Sequence, residues 1–157
     1  MTHAAAAGRS PAEIFARLGP GQRLAALGAA AMPVSMLFPW YGFKLGSPLS
    51  ATALDSFNFA HAALLLTAAA VVFVLASDAS RRWPRPLSEA GLIIAGGVWS
   101  GLLVAFLVAD PPDLLVGTAP IGGVRLRYGV FVAAGAATAM VVGGLQARLE
   151  HRLRAGK

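Results

Sequence analysis

Four stretches of the chain, residues 24–43, 56–77, 90–109 and 128–147, contain no Asp, Glu, Lys or Arg. A helix needs roughly 20 mostly apolar residues to cross about 30 Å of hydrocarbon, and each stretch is long enough. A soluble domain of 157 residues with four such runs would have no polar face left for water. The pattern therefore predicts an all-α fold, a four-helix transmembrane bundle with spans at about 22–38, 57–76, 90–109 and 128–145. Residues 1–20 form a tail ahead of it, residues 21–147 the membrane domain, and residues 148–157 a basic tail behind it.

Polar punctuation between the runs sets the helix ends. In "SPAEIFARLGPG" (10–21) Ser10 can cap a helix, Pro11 suits its first position and Glu13 completes a capping box. Gly19 and Pro20 stop it, and Ile14, Phe15 and Leu18 share one face, as expected for a short helix lying on a membrane surface. Pro33 lies inside the first span and predicts a kink or a loosened turn. Arg9, Arg17 and Arg23 before an apolar run, with small residues at 29–31, have the look of a signal peptide. Because the run continues into an aromatic cluster, a retained span is the better reading. Asp55 or Ser56 is the expected cap of the second span and Ser88 that of the third. Pro84 and Pro86 forbid a continuous helix through "SDASRRWPRPLSE" (77–89), and "DPPD" (110–113) ends the third span.

Composition agrees with lipid as the solvent: 57% of residues are apolar and 13% charged, against roughly 25% charged in an average soluble domain. The net charge of +6 does not imply nucleic acid, because the basic residues flank the spans. Arg9, Arg17, Arg23, Arg81, Arg82, Arg85, Arg148, Arg152, Arg154 and Lys157 fall on one side, and Lys44, Arg125 and Arg127 on the other. That asymmetry predicts a multi-pass protein of the plasma membrane with both termini in the cytoplasm. The absence of cysteine excludes disulfides, thiol catalysis, zinc thiolate sites and covalent c-type haem.

The first external connection then contains "FPWYGFKLGSPLSATALDSFNF" (38–59). Phe38, Trp40, Tyr41, Phe43, Phe57 and Phe59 read as an aromatic belt at the outer headgroups, with Trp83 its inner counterpart. A shaped external pocket is the alternative. The runs "WYGFKL" and "GVRLRY" in the two external connections are strand-like, and their pairing would form a short β-element over the end of the bundle.

Candidate chemistry is sparse. His61 is the one ionisable group near a span interior, which makes it a functional candidate by default. The structural alternative, a neutral histidine hydrogen-bonded to a carbonyl or to Asn58, is favoured. No second histidine, cysteine or buried carboxylate joins it, so no metal site and no haem is expected, and no cofactor. Asp55, Asp110, Asp113, Arg125 and Arg127 are weak external candidates. "DPPD" reads better as a helix stop, and the two arginines as partners of those acids or of lipid phosphates. No phosphate loop, nucleophile elbow or zinc-protease histidine pair is present. Gly97 and Gly101 in "GVWSG", and Gly135, Ala139 and Gly143 in the fourth span, form small-residue ridges that suit close helix packing. Packing within one chain is favoured; association with a second copy or another membrane protein stays open.

"FPWY" at 38–41, "DPPD" at 110–113 and "RYGVFVAAGAATAMVVGG" at 127–144 resemble a loose group of small four-span membrane proteins of actinobacteria. Where that group has a Trp-x-x-Phe-like segment before the second span, this chain has "LDSF" at 54–57. The resemblance implies a plasma-membrane protein with four helices and transfers no functional residue. The residues are read as those of a non-enzymatic membrane protein with a structural, accessory or assembly role, whose partner is the lipid bilayer. A small channel or transporter is the alternative, and a lipid-binding or lipid-modifying protein the third reading.

Overall fold

The computed structural model describes residues 10–45, 47–79, 88–111, 115–116, 119–120 and 125–155. It is mostly helical, in the order α1 (Pro11–Arg17), α2 (Pro20–Ser35), β1 (Pro39–Leu45), β2 (Ser47–Thr52), α3 (Phe59–Ala79), α4 (Glu89–Ala109), β3 (Leu115–Val116), β4 (Ala119–Pro120), β5 (Arg125–Leu126) and α5 (Tyr128–Ala155). Asp113, Trp83, Arg81, Arg82, Arg85, Arg9 and Lys157 lie outside the described residues. Phe43 and Lys44 are placed in β1 by their backbone alone.

Local chemistry starts the helices. Ser10 Oγ accepts from Glu13 N (3.3 Å) and Glu13 Oε2 from Ser10 N (3.3 Å), which is the capping box of α1. Ser88 Oγ accepts from Gly91 N (3.2 Å) at the start of α4. Gly19 and Pro20 end α1 but also begin α2, because proline at the first helical position sacrifices no hydrogen bond. The cap of α3 is neither Asp55 nor Ser56. Asn58 Oδ1 accepts from Ala60 N (3.0 Å) and His61 N (3.2 Å), and the helix begins two residues later than the apolar pattern places it.

Two further boundaries differ from the sequence expectation. α2 stops at Ser35, before Phe38, with Pro33 in its last turn. Met36, Leu37 and Phe38 then donate to Pro33, Val34 and Ser35, a tightened turn of i→i−3 bonds. α5 continues ten residues beyond Leu145 to Ala155, so the basic segment described at 148–155 is helical and not a loose tail. Leucines and arginines in that segment are good helix formers, and no Gly or Pro interrupts them before Gly156.

α3, α4 and α5 are long and apolar enough to cross a membrane. α2, at 16 residues, rises about 24 Å. α5 packs against both α2 and α4, and α3 closes the arrangement by packing against α4 and α2. The closest approaches are set by small residues. A methyl group on Gly143 would lie 2.6 Å from Ala25 N and from Gly21 O, and one on Gly28 2.6 Å from Ala136 O. On the other flank of α5, a methyl on Gly97 would lie 2.8 Å from Val141 N. Ala139 shares the α2 interface, with its Cβ 3.1 Å from the position of a Cβ on Gly28. The expected ridges are therefore only partly in contact. Gly101 and Gly135 have open space where a side chain would be, and Gly101 lines a groove between α4 and α5.

Many large apolar side chains point outward, although Met32, Leu64, Ile93, Leu107 and Met140 are fully buried. Leu66, Phe73, Leu102 and Phe131 are well exposed, while Ala25, Ala29, Ala133, Ala136 and Ala137 are buried. So much exposed apolar surface is unlike a soluble domain, and the buried alanines suit helices that associate by close backbone approach in an apolar solvent.

Gly143→Ala and Gly135→Ala make the same chemical change in one helix with opposite expected results. At Gly143 the methyl must separate two backbones, at about 1–3 kcal/mol. At Gly135 it meets nothing and adds helix propensity of up to about 1 kcal/mol. Thermal aggregation in detergent should place Gly143→Ala below the wild type and Gly135→Ala level with it or above; equal behaviour would mean that α2 and α5 are not packed this closely.

Candidate functional site

Among the described residues, polar, aromatic and titratable side chains converge at the end of the helix ring closed by a sheet. β1 pairs antiparallel with β2, and its other edge pairs with β5 through Tyr41 opposite Leu126 and Gly42 opposite Arg125. The sheet thus joins the connection after α2 to the one before α5. A separate pair, β3 with β4, lies within the connection after α4.

Successive strand residues normally point to opposite faces. Trp40 and Tyr41 are consecutive, yet both are 0% exposed. The register of β1 on β2 shifts between Pro39 and Tyr41, so Trp40 is the extra residue of a bulge, a distortion that redirects a side chain. Both rings then enter the bundle and cap helix ends. Trp40 Nε1 donates to Ser35 O, the last carbonyl of α2, at 2.8 Å. Tyr41 Oη donates to Leu107 O, in the last turn of α4, at 3.2 Å. Burial pushes the Tyr41 phenol up from 10.0 to about 12.

The aromatic-belt reading therefore fails for Trp40 and Tyr41, which belong to the core. Phe38, Phe57 and Phe59 are exposed, and Phe38 lies against Tyr128 with ring centroids 5.7 Å apart. The start of α5 is shaped around Trp40. Arg127 N donates to Trp40 O (2.9 Å), and a methyl on Gly129 would fall 2.8 Å from Pro39 O and 2.9 Å from Trp40 Nε1. Arg127 lies across Gly42, where a Cβ would come within 2.5 Å of its Nε. "FPWYG" and "RYG" are two halves of one packing unit.

His61 sits inside this cap, fully buried, in the first turn of α3. Its ring meets Trp40 edge-on (5.3 Å) and stacks on Phe57 (6.1 Å). Nδ1 lies 2.8 Å from Asn58 Oδ1 and 3.4 Å from Asn58 N. Nε2 has no partner among the described residues, and the same holds for Ser100 Oγ, buried about two turns further along α4 from Leu107. Thr67 and Thr138 satisfy their hydroxyls on carbonyls of their own helices.

The remaining candidates are scattered. Asp55 is exposed and closes the turn after β2, with Oδ2 accepting from Thr52 N (2.7 Å) and Thr52 Oγ1 (2.8 Å). Those two donors hold its carboxyl below the usual range. Asp110 caps the end of α4 and is exposed, and Arg125 and Arg127 are exposed in and just after β5. No described acid pairs with either arginine; Asp113 is outside the described residues. Among the described residues no three His, Cys, Asp or Glu side chains are placed to hold a metal ion. His61 has Asn58 as its sole hydrogen-bonding side chain there, so the site provides packing and capping, and no paired acid and base. The sequence reading named Asn58 as a partner of His61, and what it missed was Gly129 and the role of Asn58 as the cap of α3. A glycine in the first turn of an apolar helix was the available signal for a bulky neighbour.

No protein-family model, curated protein or solved structure matches this chain.

Gly129→Ala should lower stability by about 1–3 kcal/mol, because the methyl must push Trp40 or the Pro39 carbonyl aside. Trp40→Ala should cost about 3–5 kcal/mol, a large cavity plus a carbonyl with one donor fewer. Both are read from thermal unfolding in detergent. The phenol gives an independent check. The chain has two tyrosines, so in Tyr128→Phe the alkaline absorbance change reports Tyr41 alone. Its midpoint should lie near pH 12. Between 10.0 and about 12 the unfolded chain loses this proton and the folded chain keeps it, so stability should fall as pH rises through that window. A midpoint near 10 would mean the hydroxyl is open to water.

Proposed function

We propose that this chain is a non-enzymatic, four-span protein of the plasma membrane with a structural, accessory or assembly role. The observation that carries the reading is the exposed large apolar side chains on three span-length helices. α2 is the fourth span of this proposal. It lies along α5 at backbone contact through Gly21, Gly28 and Gly143, and its C-terminal carbonyls are satisfied by the Phe38 amide, Ser35 Oγ and Trp40 Nε1. A helix end without water needs such partners. The ends of α2 and α4 and the starts of α3 and α5 meet at the sheet. The chain therefore enters and leaves the helix ring at the opposite end, where Arg17, Arg23, Arg148, Arg152 and Arg154 stand. The lysine and arginine asymmetry supports a cytoplasmic location for that end and an outer location for the sheet.

A small channel or transporter is the second reading, and the unpartnered Ser100 Oγ and His61 Nε2 are the observation that favours it. Against it stand Trp40 and Tyr41, which fill the sheet end of the helix ring. The chain should stay with the membrane pellet after an alkaline carbonate wash. A reporter fused at Lys157 should be cytoplasmic, and one inserted within residues 114–120 should be outside. An external C terminus would overturn the threading. Release by carbonate would overturn membrane insertion itself.

A further inference from the structure

Opposite the sheet, the ends of α1, α2, α4 and α5 surround an open cleft of about 940 Å³. We infer that this cleft binds the phosphate headgroup of an anionic phospholipid, with Arg17, Arg148 and Arg152 as its ligands. The inference rests on the membrane reading above and adds to it a ligand and a site.

Depth is the first argument. The cleft is lined by Ala90 and Ala147, the first residue of one charge-free run and the last of another, together with the polar residues just beyond them. This is the level of lipid headgroups in a bundle whose runs fill the hydrocarbon. Charge is the second. Arg17, Arg148, Arg152 and Arg154 line the cleft against two carboxylates, and both carboxylates are engaged within the protein. Glu89 Oε1 accepts from Gln22 Nε2 (2.8 Å), and Glu150 Oε1 accepts from Gly21 N (3.2 Å) at the start of α2. None of the four arginines is paired with a described acid. The helix starts at the cleft are also occupied, that of α2 by Gln22 and Glu150 and that of α4 by Ser88. Recognition of an anion therefore falls to the guanidinium groups, whose planar fork matches a phosphate.

The third argument selects a lipid over a free phosphate. Leu145, Leu149 and Leu153 recur every four residues along α5, so they form one stripe, and Leu149 and Leu153 are 59% and 71% exposed. Arg148 and Arg152 stand one residue before Leu149 and Leu153 on the same helix. A lipid with its phosphate on Arg148 and Arg152 would run its acyl chains back toward the hydrocarbon over Leu145, which is 47% exposed about one turn nearer the apolar run. An inorganic ion makes no use of that apolar surface. Cytoplasmic leaflets carry the anionic lipids that attract such basic segments.

The test uses the full chain purified in a neutral detergent and measures the thermal midpoint with dioctanoyl phosphatidylglycerol, dioctanoyl phosphatidylcholine or sodium phosphate at matched ionic strength. Saturating phosphatidylglycerol should raise the midpoint by about 5 °C. Phosphatidylcholine and inorganic phosphate should leave it unchanged. The Arg17→Gln/Arg148→Gln/Arg152→Gln variant should lose the shift, and Arg23→Gln, whose guanidinium lies over Phe15 5.9 Å from the ring centroid, should keep it. If the triple variant does not fold, Arg148→Gln alone should reduce the number of phosphatidylglycerol molecules retained in native mass spectra. Equal shifts with the two lipids, an unaltered response of the variants, or a shift reproduced by phosphate alone would each overturn the inference. If the shift is absent while the chain resists carbonate extraction, the cleft assignment alone fails. Release by carbonate would remove the membrane reading beneath it.

Discussion

The fold depends on how the backbone ends of four helices are satisfied where little water reaches them. A helix terminus leaves up to four N–H or C=O groups without an internal partner, and in an apolar solvent each is costly. Here two C-termini and two N-termini meet at one end. Trp40 and Tyr41 donate to the ends of α2 and α4, Asn58 accepts at the start of α3, and Arg127 N is bonded to Trp40 O just before α5. One strand, β1, provides three of these partners. The bulge at Trp40 lets two neighbouring aromatics face inward together.

The same constraint explains the character of the buried histidine. His61 is fixed by Asn58, the residue that caps its own helix, and is enclosed by Trp40 and Phe57. Its environment is one of packing. Most of the described arginines stand at the opposite end, where α5 carries Arg148, Arg152 and Arg154 beyond the apolar run on a continuous helix. The two ends are thus different in kind: an aromatic end closed by hydrogen bonds to backbone carbonyls, and a basic end that is open.

Legibility in the sequence followed the range of the interactions. The caps at Ser10 and Ser88 were readable because donor and acceptor lie three residues apart. The strand-like character of "WYGFKL" was readable as a local pattern. The cap of α3 was not, because Asp55, Ser56 and Asn58 are all competent, and Asp55 is claimed by the turn at Thr52 that ends β2. Trp40 and Tyr41 looked like interfacial residues because aromatics at the end of an apolar run usually are. Their burial depends on Leu107, 66 residues beyond Tyr41, and on the gap left by Gly129.

By itself the sequence determined the apolar runs, their lengths and how lysine and arginine are distributed between them, since these depend only on which residues are consecutive. It also determined that small residues would be available for close packing. Only the tertiary structure decided which of them are used: Gly97 and Gly143 touch neighbouring helices, and Gly101 and Gly135 do not. Rotation about a helix axis is not encoded by a run that is apolar on every face, so the choice falls to the partners. The same is true of the far ends of α2 and α5. Proline in the last turn and the helical propensity of "RLEHRLRA" permitted those boundaries, and the pairing of Glu150 with Gly21 joined the two helices beyond the apolar runs.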